Sequence, residues 1–117
     1  MRQPRLAGLS CPRGDAHFSM PHITREKLDA IAGYLLDRTG SIGVEQYGDS
    51  ERCVQIYRVW TEKGLHVLRV SDRFIAGHGA GEMRHCFDDW RVAERLVRET
   101  RRGILVTSDG LEPFEIG

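Results

Sequence analysis

The stretch RCVQIYRVWTEKGLHVLRV, residues 52–70, decides the fold. Both of its halves are rich in β-branched and aromatic residues, and the polar segment 61–64 between them ends in a glycine. This composition predicts two antiparallel strands joined by a tight turn, with Trp60 opposite Leu65.

Neither face of this predicted hairpin is cleanly polar. One face is apolar and carries Val59, Tyr57, Leu68 and Val70. The other face mixes apolar and basic residues, namely Trp60, Arg58, Ile56, Leu65, Val67 and Arg69. We therefore expect helices to cover one side of the sheet, and an N-terminal arm or a second copy of the chain to cover the other.

A strand and a helix precede the hairpin. Residues 42–47 continue the strand composition, which makes an antiparallel meander. In residues 24–38 apolar side chains recur at intervals of three and four, as expected of an amphipathic helix. Thr24 is suited to cap its start and Gly40 to end it.

The chain after the meander predicts a second helix and a last strand. Because Gly77, Gly79 and Gly81 interrupt residues 73–87, we expect a loop there. The next helix is expected to begin at Asp88 or Asp89 and to run to about Arg102, before a short strand at 104–107 and a terminal turn. The predicted fold is α+β with the order α-β-β-β-α-β: a small antiparallel sheet of three to four strands with both helices packed on one face.

Length and composition fit one folded domain. The chain has 117 residues, of which 40% are hydrophobic, so it can bury one core. Residues 1–19 show no apolar periodicity and are expected to form a flexible arm, while residues 20–117 form the domain. One hypothesis is that translation naturally starts at Met20, which would place the arm outside the natural protein.

Net charge and cysteine content limit the expected partners and cellular compartment. Seventeen basic and seventeen acidic residues give a formal net charge of zero, so any basic surface must be local. No apolar run is long enough to cross a membrane. Cys11, Cys53 and Cys86 form neither a paired framework nor a metal motif, and Cys53 is expected inside a strand as a small core residue. We predict a cytoplasmic protein with reduced thiols, no membrane partner and no metal.

The second helix carries the clearest candidate site. On a helical projection Arg91, Arg95, Arg98 and Arg102 form a stripe opposite its apolar face. Such a row matches phosphate or carboxylate groups of a partner. The alternative is a solvated face in which Glu94 pairs with Arg98 and Arg95 with Glu99.

Two other arginines are candidate binding residues. Arg58 and Arg69 flank Trp60 on the mixed sheet face, and basic residues beside aromatics can bind single-stranded nucleic acid. The alternative is a core role for Trp60, with both arginines extending to the sheet edge.

The glycine-rich segment supports only a weak enzyme hypothesis. Residues 77–81 lack the βαβ context of a dinucleotide loop and the nucleophile elbow of a hydrolase. A nucleophilic Cys86 would need His78 or His66 as its base. We assign no catalytic residue and no cofactor.

The sequence therefore favours a small non-enzymatic binding or regulatory module whose partner is a protein or a nucleic acid. Contact would be made through the arginine stripe and the two sheet arginines, with a homodimer through the sheet as a further expectation. The alternatives are a small enzyme that uses Cys86 or His78, and a dedicated nucleic-acid-binding protein. Salt-dependent affinity would mark the latter.

Overall fold

A computed structural model describes residues 23–98 and 102–116. Within these residues the helices are α1 (Arg25–Thr39), α2 (Asp72–Gly77), α3 (Ala80–Asp89) and α4 (Val92–Arg98). The strands are β1 (Gly43–Asp49), β2 (Val54–Thr61), β3 (Gly64–Ser71), β4 (Arg102–Thr107) and β5 (Gly110–Glu115). The predicted arm at 1–19, Cys11 and Glu99 lie outside the described residues.

The first helix begins and ends where the sequence predicts. The hydroxyl of Thr24 accepts a hydrogen bond from the backbone N–H of Lys27 at 3.2 Å. Gly40 ends α1 with a φ of 66°, in the left-handed region that glycine adopts without a steric penalty. The inward face of α1 buries Ile31, Tyr34 and Leu35.

The register predicted for the central hairpin is confirmed. Trp60 lies opposite Leu65 in the antiparallel pair of β2 and β3. The turn is tighter than the four residues expected, because Thr61 and Gly64 also pair and only two residues connect them. Gly64 has a φ of 123° at this turn.

The sheet is larger than predicted and is mixed. It has five strands in the order β1-β2-β3-β4-β5, whereas the sequence predicted three to four antiparallel strands. Strands β3 and β4 are parallel, with Leu68 opposite Ile104, and the other neighbours are antiparallel. The fifth strand forms from the C-terminal segment, which was expected to be a turn, because Ser108 and Asp109 reverse the chain and let β5 pair with β4.

The segment expected to be a loop is helical. Helix α2 ends at Gly77 and α3 begins at Ala80, so the glycines occupy a short connection and two helix ends. The backbone N–H of Gly79 donates to Glu82 Oε1 at 2.8 Å, which fixes the start of α3. Burial of the apolar side chains of both helices, Phe74, Ile75, Met83 and Phe87, stabilises this arrangement.

The single helix predicted from Asp88 to Arg102 is also wrong. Helix α3 ends at Asp89, and Arg91 adopts a φ of 55°, which breaks the helix before α4 begins at Val92. Arg102 is the first residue of β4. The described residues therefore contain four helices instead of two.

Cys53 differs from its prediction in two respects. It lies in the turn between β1 and β2 with a φ of 56°, not inside a strand. It is disulfide-bonded, whereas Cys86 is a free thiol. The expectation of reduced thiols is therefore wrong at Cys53.

All four helices contribute to one core on one face of the sheet. Their buried residues join Tyr57, Val59, Leu68, Val70, Ile104 and Val106 in a single apolar cluster. The face that carries Arg58 and Arg69 contributes no residue to this cluster. None of the helices in the described ranges is both long and apolar enough to span a bilayer.

Candidate functional site: a basic groove between α4 and the last two strands

The four arginines predicted to form one stripe are divided among three elements. Arg91 lies in the turn before α4, Arg95 and Arg98 lie on α4, and Arg102 begins β4. The helix break rotates and displaces Arg91 relative to the others. The stripe as predicted does not exist, although part of it is rebuilt by the tertiary fold.

Their ion pairs separate these arginines into two groups. Arg91 Nε lies 3.7 Å from Glu94 Oε1, and Arg102 Nε lies 3.3 Å from Glu115 Oε2. The side chains of Arg95 and Arg98 are exposed and form no ion pair or hydrogen bond within residues 23–98 and 102–116. The Glu94–Arg98 pair expected from the sequence does not form, because Glu94 lies beside Arg91.

Three of the arginines nevertheless line one groove. Arg95, Arg98 and Arg102 border a cavity of about 240 Å³ between α4 and the β4–β5 hairpin. The remaining lining residues are Gly103, Ile104, Leu111, Glu112 and Pro113. We call this feature the basic groove. Its floor is apolar, and its walls carry three guanidiniums.

Core packing holds both walls of the basic groove. Val92, Ala93 and Leu96 are buried, so α4 presents Arg95 and Arg98 on its outer side. On the sheet side Ile104 pairs with Pro113 in the β4–β5 register. The groove is therefore built on two regular elements that the core fixes.

A second cavity lies next to the basic groove and shares Arg95 and Leu111 with it. It measures about 260 Å³ and is also lined by Asp89, Trp90 and Gly110. The ring of Trp90 lies 5.9 Å from that of Phe74, centroid to centroid, so this indole packs partly on the core. The two cavities are separate neighbours, with Arg95 and Leu111 at the boundary between them.

The sheet arginines are engaged within the protein. Arg58 Nη1 lies 3.3 Å from Glu45 Oε1, and its guanidinium lies 5.2 Å from the centre of the Trp60 ring. The guanidinium of Arg69 lies 4.0 Å from the centre of the Phe114 ring. Each cation already covers the aromatic ring beside it, which leaves little ring surface for stacking with a base.

The geometry around Cys86 gives the enzyme alternative no support. Burial and the nearby carboxylates of Asp89 and Glu82 raise the pKa of the Cys86 thiol. A raised pKa lowers the fraction of thiolate, which is the nucleophilic form.

The two histidines considered as bases contact other groups. His78 stacks on Phe74 at 4.4 Å between ring centres, and its Nδ1 lies 2.8 Å from the Phe74 carbonyl oxygen. His66 is buried and lies 2.8 Å from the Thr61 hydroxyl.

A chain of polar side chains was missed by the sequence analysis. Arg25 donates to Gln46 Oε1 at 3.2 Å, Gln46 Nε2 donates to Gln55 Oε1 at 2.6 Å, and Gln55 Nε2 donates to Asp72 Oδ1 at 3.1 Å. It runs from an exposed cation to a carboxylate that is only 9% exposed. The sequence feature that could have revealed this chain is the pair of glutamines, Gln46 and Gln55, at inward positions of β1 and β2.

Burial raises the pKa of Asp72, and the hydrogen bond from Gln55 offsets this in part. The folded state therefore binds this proton more tightly than the unfolded chain. This tighter proton binding contributes stability that is fully present below the ordinary aspartate pKa of about 4. The contribution is lost as the pH rises through the folded-state pKa, because the buried carboxyl group then ionises. Replacing Asp72 by asparagine should remove it.

We expect the Asp72→Asn variant to gain stability relative to wild type as the pH rises from about 4 towards neutrality. Chemical denaturation at several pH values measures this difference. Asp109→Asn, at an exposed turn position, is the control for the loss of one carboxylate. A stability difference between Asp72→Asn and wild type that does not change with pH would contradict the pKa direction.

No group of three or more metal-ligating side chains occurs in the part of the chain that the structure describes. Comparison with known proteins adds no functional information: no protein-family model, no curated protein and no solved structure matches the chain. The site must therefore be interpreted from its own geometry.

Proposed function

We propose that this protein is a small binding or regulatory module that acts without catalysis and contacts an anionic partner, a protein or a nucleic acid, through the basic groove. One observation carries the proposal. Arg95 and Arg98 have no acidic partner among the described residues and, with Arg102, border a single concave surface. Guanidiniums offer forked donors that match carboxylate and phosphate oxygens.

The energetic role of these arginines also supports a binding function. Exposed charged side chains without partners contribute little to folding stability. Arg95 and Arg98 are three residues apart on α4, so their side chains leave the same side of the helix and one partner can reach both. Removing them should change binding far more than folding.

We expect an Arg95→Ala/Arg98→Ala double variant to remain folded and to lose binding. The probes are fluorescently labelled oligothymidine and a fluorescently labelled oligoglutamate peptide, measured by anisotropy at low ionic strength. Wild type should bind at least one probe, and the double variant should bind that probe about tenfold more weakly or worse, because a charge-assisted hydrogen bond contributes about 1.5–3 kcal/mol.

The matched control removes the same charge elsewhere. Arg52 lies in the β1–β2 turn and Arg73 on α2, and both are exposed and outside the basic groove. The Arg52→Ala/Arg73→Ala variant should retain wild-type affinity. Equal losses in the two double variants would mean that net charge alone governs binding. That result, or no binding of either probe by wild type, would refute the proposal.

A further inference from the structure

The floor of the basic groove restricts the partner more than its charge does. Ile104, Leu111 and Pro113 make an apolar floor beneath the arginines. A partner with charged groups alone would leave this apolar floor exposed to water. If its charged groups covered the floor instead, they would lose hydration without gaining a polar contact there. The complementary occupant combines an apolar group with carboxylates or phosphates at its sides.

The size of the basic groove points to side chains of a larger partner. Its volume of about 240 Å³ falls below the roughly 300–1,000 Å³ typical of small-molecule pockets. Small concave sites bordered by arginine are also typical of the central anchors of protein interfaces. A short protein segment therefore fits better than a cofactor-sized molecule.

Carboxylates around the basic groove disfavour a nucleic-acid backbone. Asp89 lines the neighbouring cavity, and Glu115 neutralises Arg102. A nucleic acid carries a charge at every nucleotide, so its phosphates would approach these acids as well as the arginines. A peptide can place its carboxylates at Arg95 and Arg98 alone.

The edge of β5 is unsuited to pairing with an added strand. β5 is the last strand of the sheet, and Pro113 in its middle has no backbone N–H. An extended peptide that paired along this edge would lack a donor at that position. Strand addition at this edge is therefore disfavoured, which leaves side chains that enter the groove as the better means of recognition.

Building on the proposed function, we infer that the partner is a protein that inserts a short segment in which an apolar side chain is flanked by carboxylates. The apolar side chain packs on Ile104, Leu111 and Pro113. The flanking carboxylates accept hydrogen bonds from Arg95 and Arg98.

A displayed library of random dodecapeptides tests this inference without assuming a partner. Wild-type protein is the bait, and the Arg95→Ala/Arg98→Ala variant removes binders that do not need the basic groove. The expected result is enrichment of peptides with acidic residues on both sides of a leucine, isoleucine or phenylalanine. In one enriched peptide, acid-to-amide changes and an apolar-to-serine change should each weaken binding about tenfold.

The outcomes separate the two proposals. Enriched peptides without this pattern, or no enrichment over the double variant, would overturn the inference. If oligothymidine binding still depends on Arg95 and Arg98 in that case, the proposed function stands with a nucleic acid as partner. If no probe or peptide depends on these arginines, both proposals fail.

Discussion

Replacing Gly103 by alanine is expected to destabilise the protein by about 1–3 kcal/mol, the usual cost of inserting a methyl group into packed space. Gly103 is buried in β4 directly opposite Phe114 of β5. A Cβ at this position would lie 2.6 and 2.7 Å from Cε1 and Cε2 of the Phe114 ring. Carbon atoms that are not bonded do not approach this closely, so the ring must move.

The ring cannot move without a further loss. The guanidinium of Arg69 lies 4.0 Å from the centre of the Phe114 ring, which is therefore held between this cation and the Gly103 backbone. Displacing the ring sacrifices the cation–π contact and exposes apolar surface. Thermal unfolding should show a melting temperature several degrees lower.

Gly43→Ala is the matched control, because a Cβ at Gly43 in β1 has open space around it. It should unfold close to wild type. In the Gly103→Ala/Phe114→Ala double variant the clash is absent, so its loss should be smaller than the sum of the two single losses. Additive losses, or a Gly103→Ala variant as stable as Gly43→Ala, would show that the ring does not pack on Gly103.

The parts of the fold that sequence reasoning predicted correctly are governed by local chemistry. A hydroxyl cap at Thr24 and a left-handed Gly40 set the ends of α1. Alternation of side chains and a glycine at the turn set the register of β2 against β3. In each case the deciding residues lie within a few positions of one another.

The errors arose where tertiary contacts decide. Glycines at 77–81 are unfavourable for helices, yet Phe74 and Phe87 stack at 5.9 Å and bury the helices on either side of them. At Trp90 and Arg91 the sequence contains no glycine or proline that would signal the end of a helix. Nothing local shows that the helix must break there.

Only part of the candidate site was predicted, because tertiary contacts bring its other residues together. Helical spacing correctly grouped Arg95 with Arg98, because both lie on α4. Arg102 joins them through the return of β4 to the sheet, a contact that the sequence pattern does not contain. The apolar floor was also hidden, because Leu111 and Pro113 belong to a strand that was not predicted.

Removing the hydroxyl group of Tyr34 is the second small change, besides Gly103→Ala, from which we expect a large loss of folding stability. This hydroxyl donates to the carbonyl of Phe87 at 3.2 Å and accepts from the N–H of Ala93 at 3.1 Å. The first group belongs to the last turn of α3 and the second to the first turn of α4, so one side chain satisfies both ends of the helix break. Tyr34→Phe would leave two buried backbone groups without this partner, at about 1–3 kcal/mol each.

Two other tyrosines provide graded controls for this variant. Tyr57 donates to Leu28 O at 2.9 Å, but that carbonyl lies inside α1 and keeps its helical partner, so Tyr57→Phe should cost less. Tyr47 is 46% exposed, and Tyr47→Phe should be nearly neutral. Denaturant unfolding of the three variants should therefore rank Tyr34→Phe as the least stable, and an equal or reversed order would contradict the role of the hydroxyl at the break.

The same variant connects the fold to the basic groove. Because Ala93 lies in the first turn of the helix that carries Arg95 and Arg98, loosening the N-terminus of that helix should let both guanidiniums move away from the apolar floor. Tyr34→Phe should therefore also weaken binding of a peptide selected on wild type, at a temperature where the variant is still folded, while Tyr57→Phe leaves that affinity unchanged. If Tyr34→Phe lowers stability but not affinity, the position of α4 does not depend on this hydroxyl, and the core contacts of Val92 and Leu96 must be sufficient to hold the arginines in place.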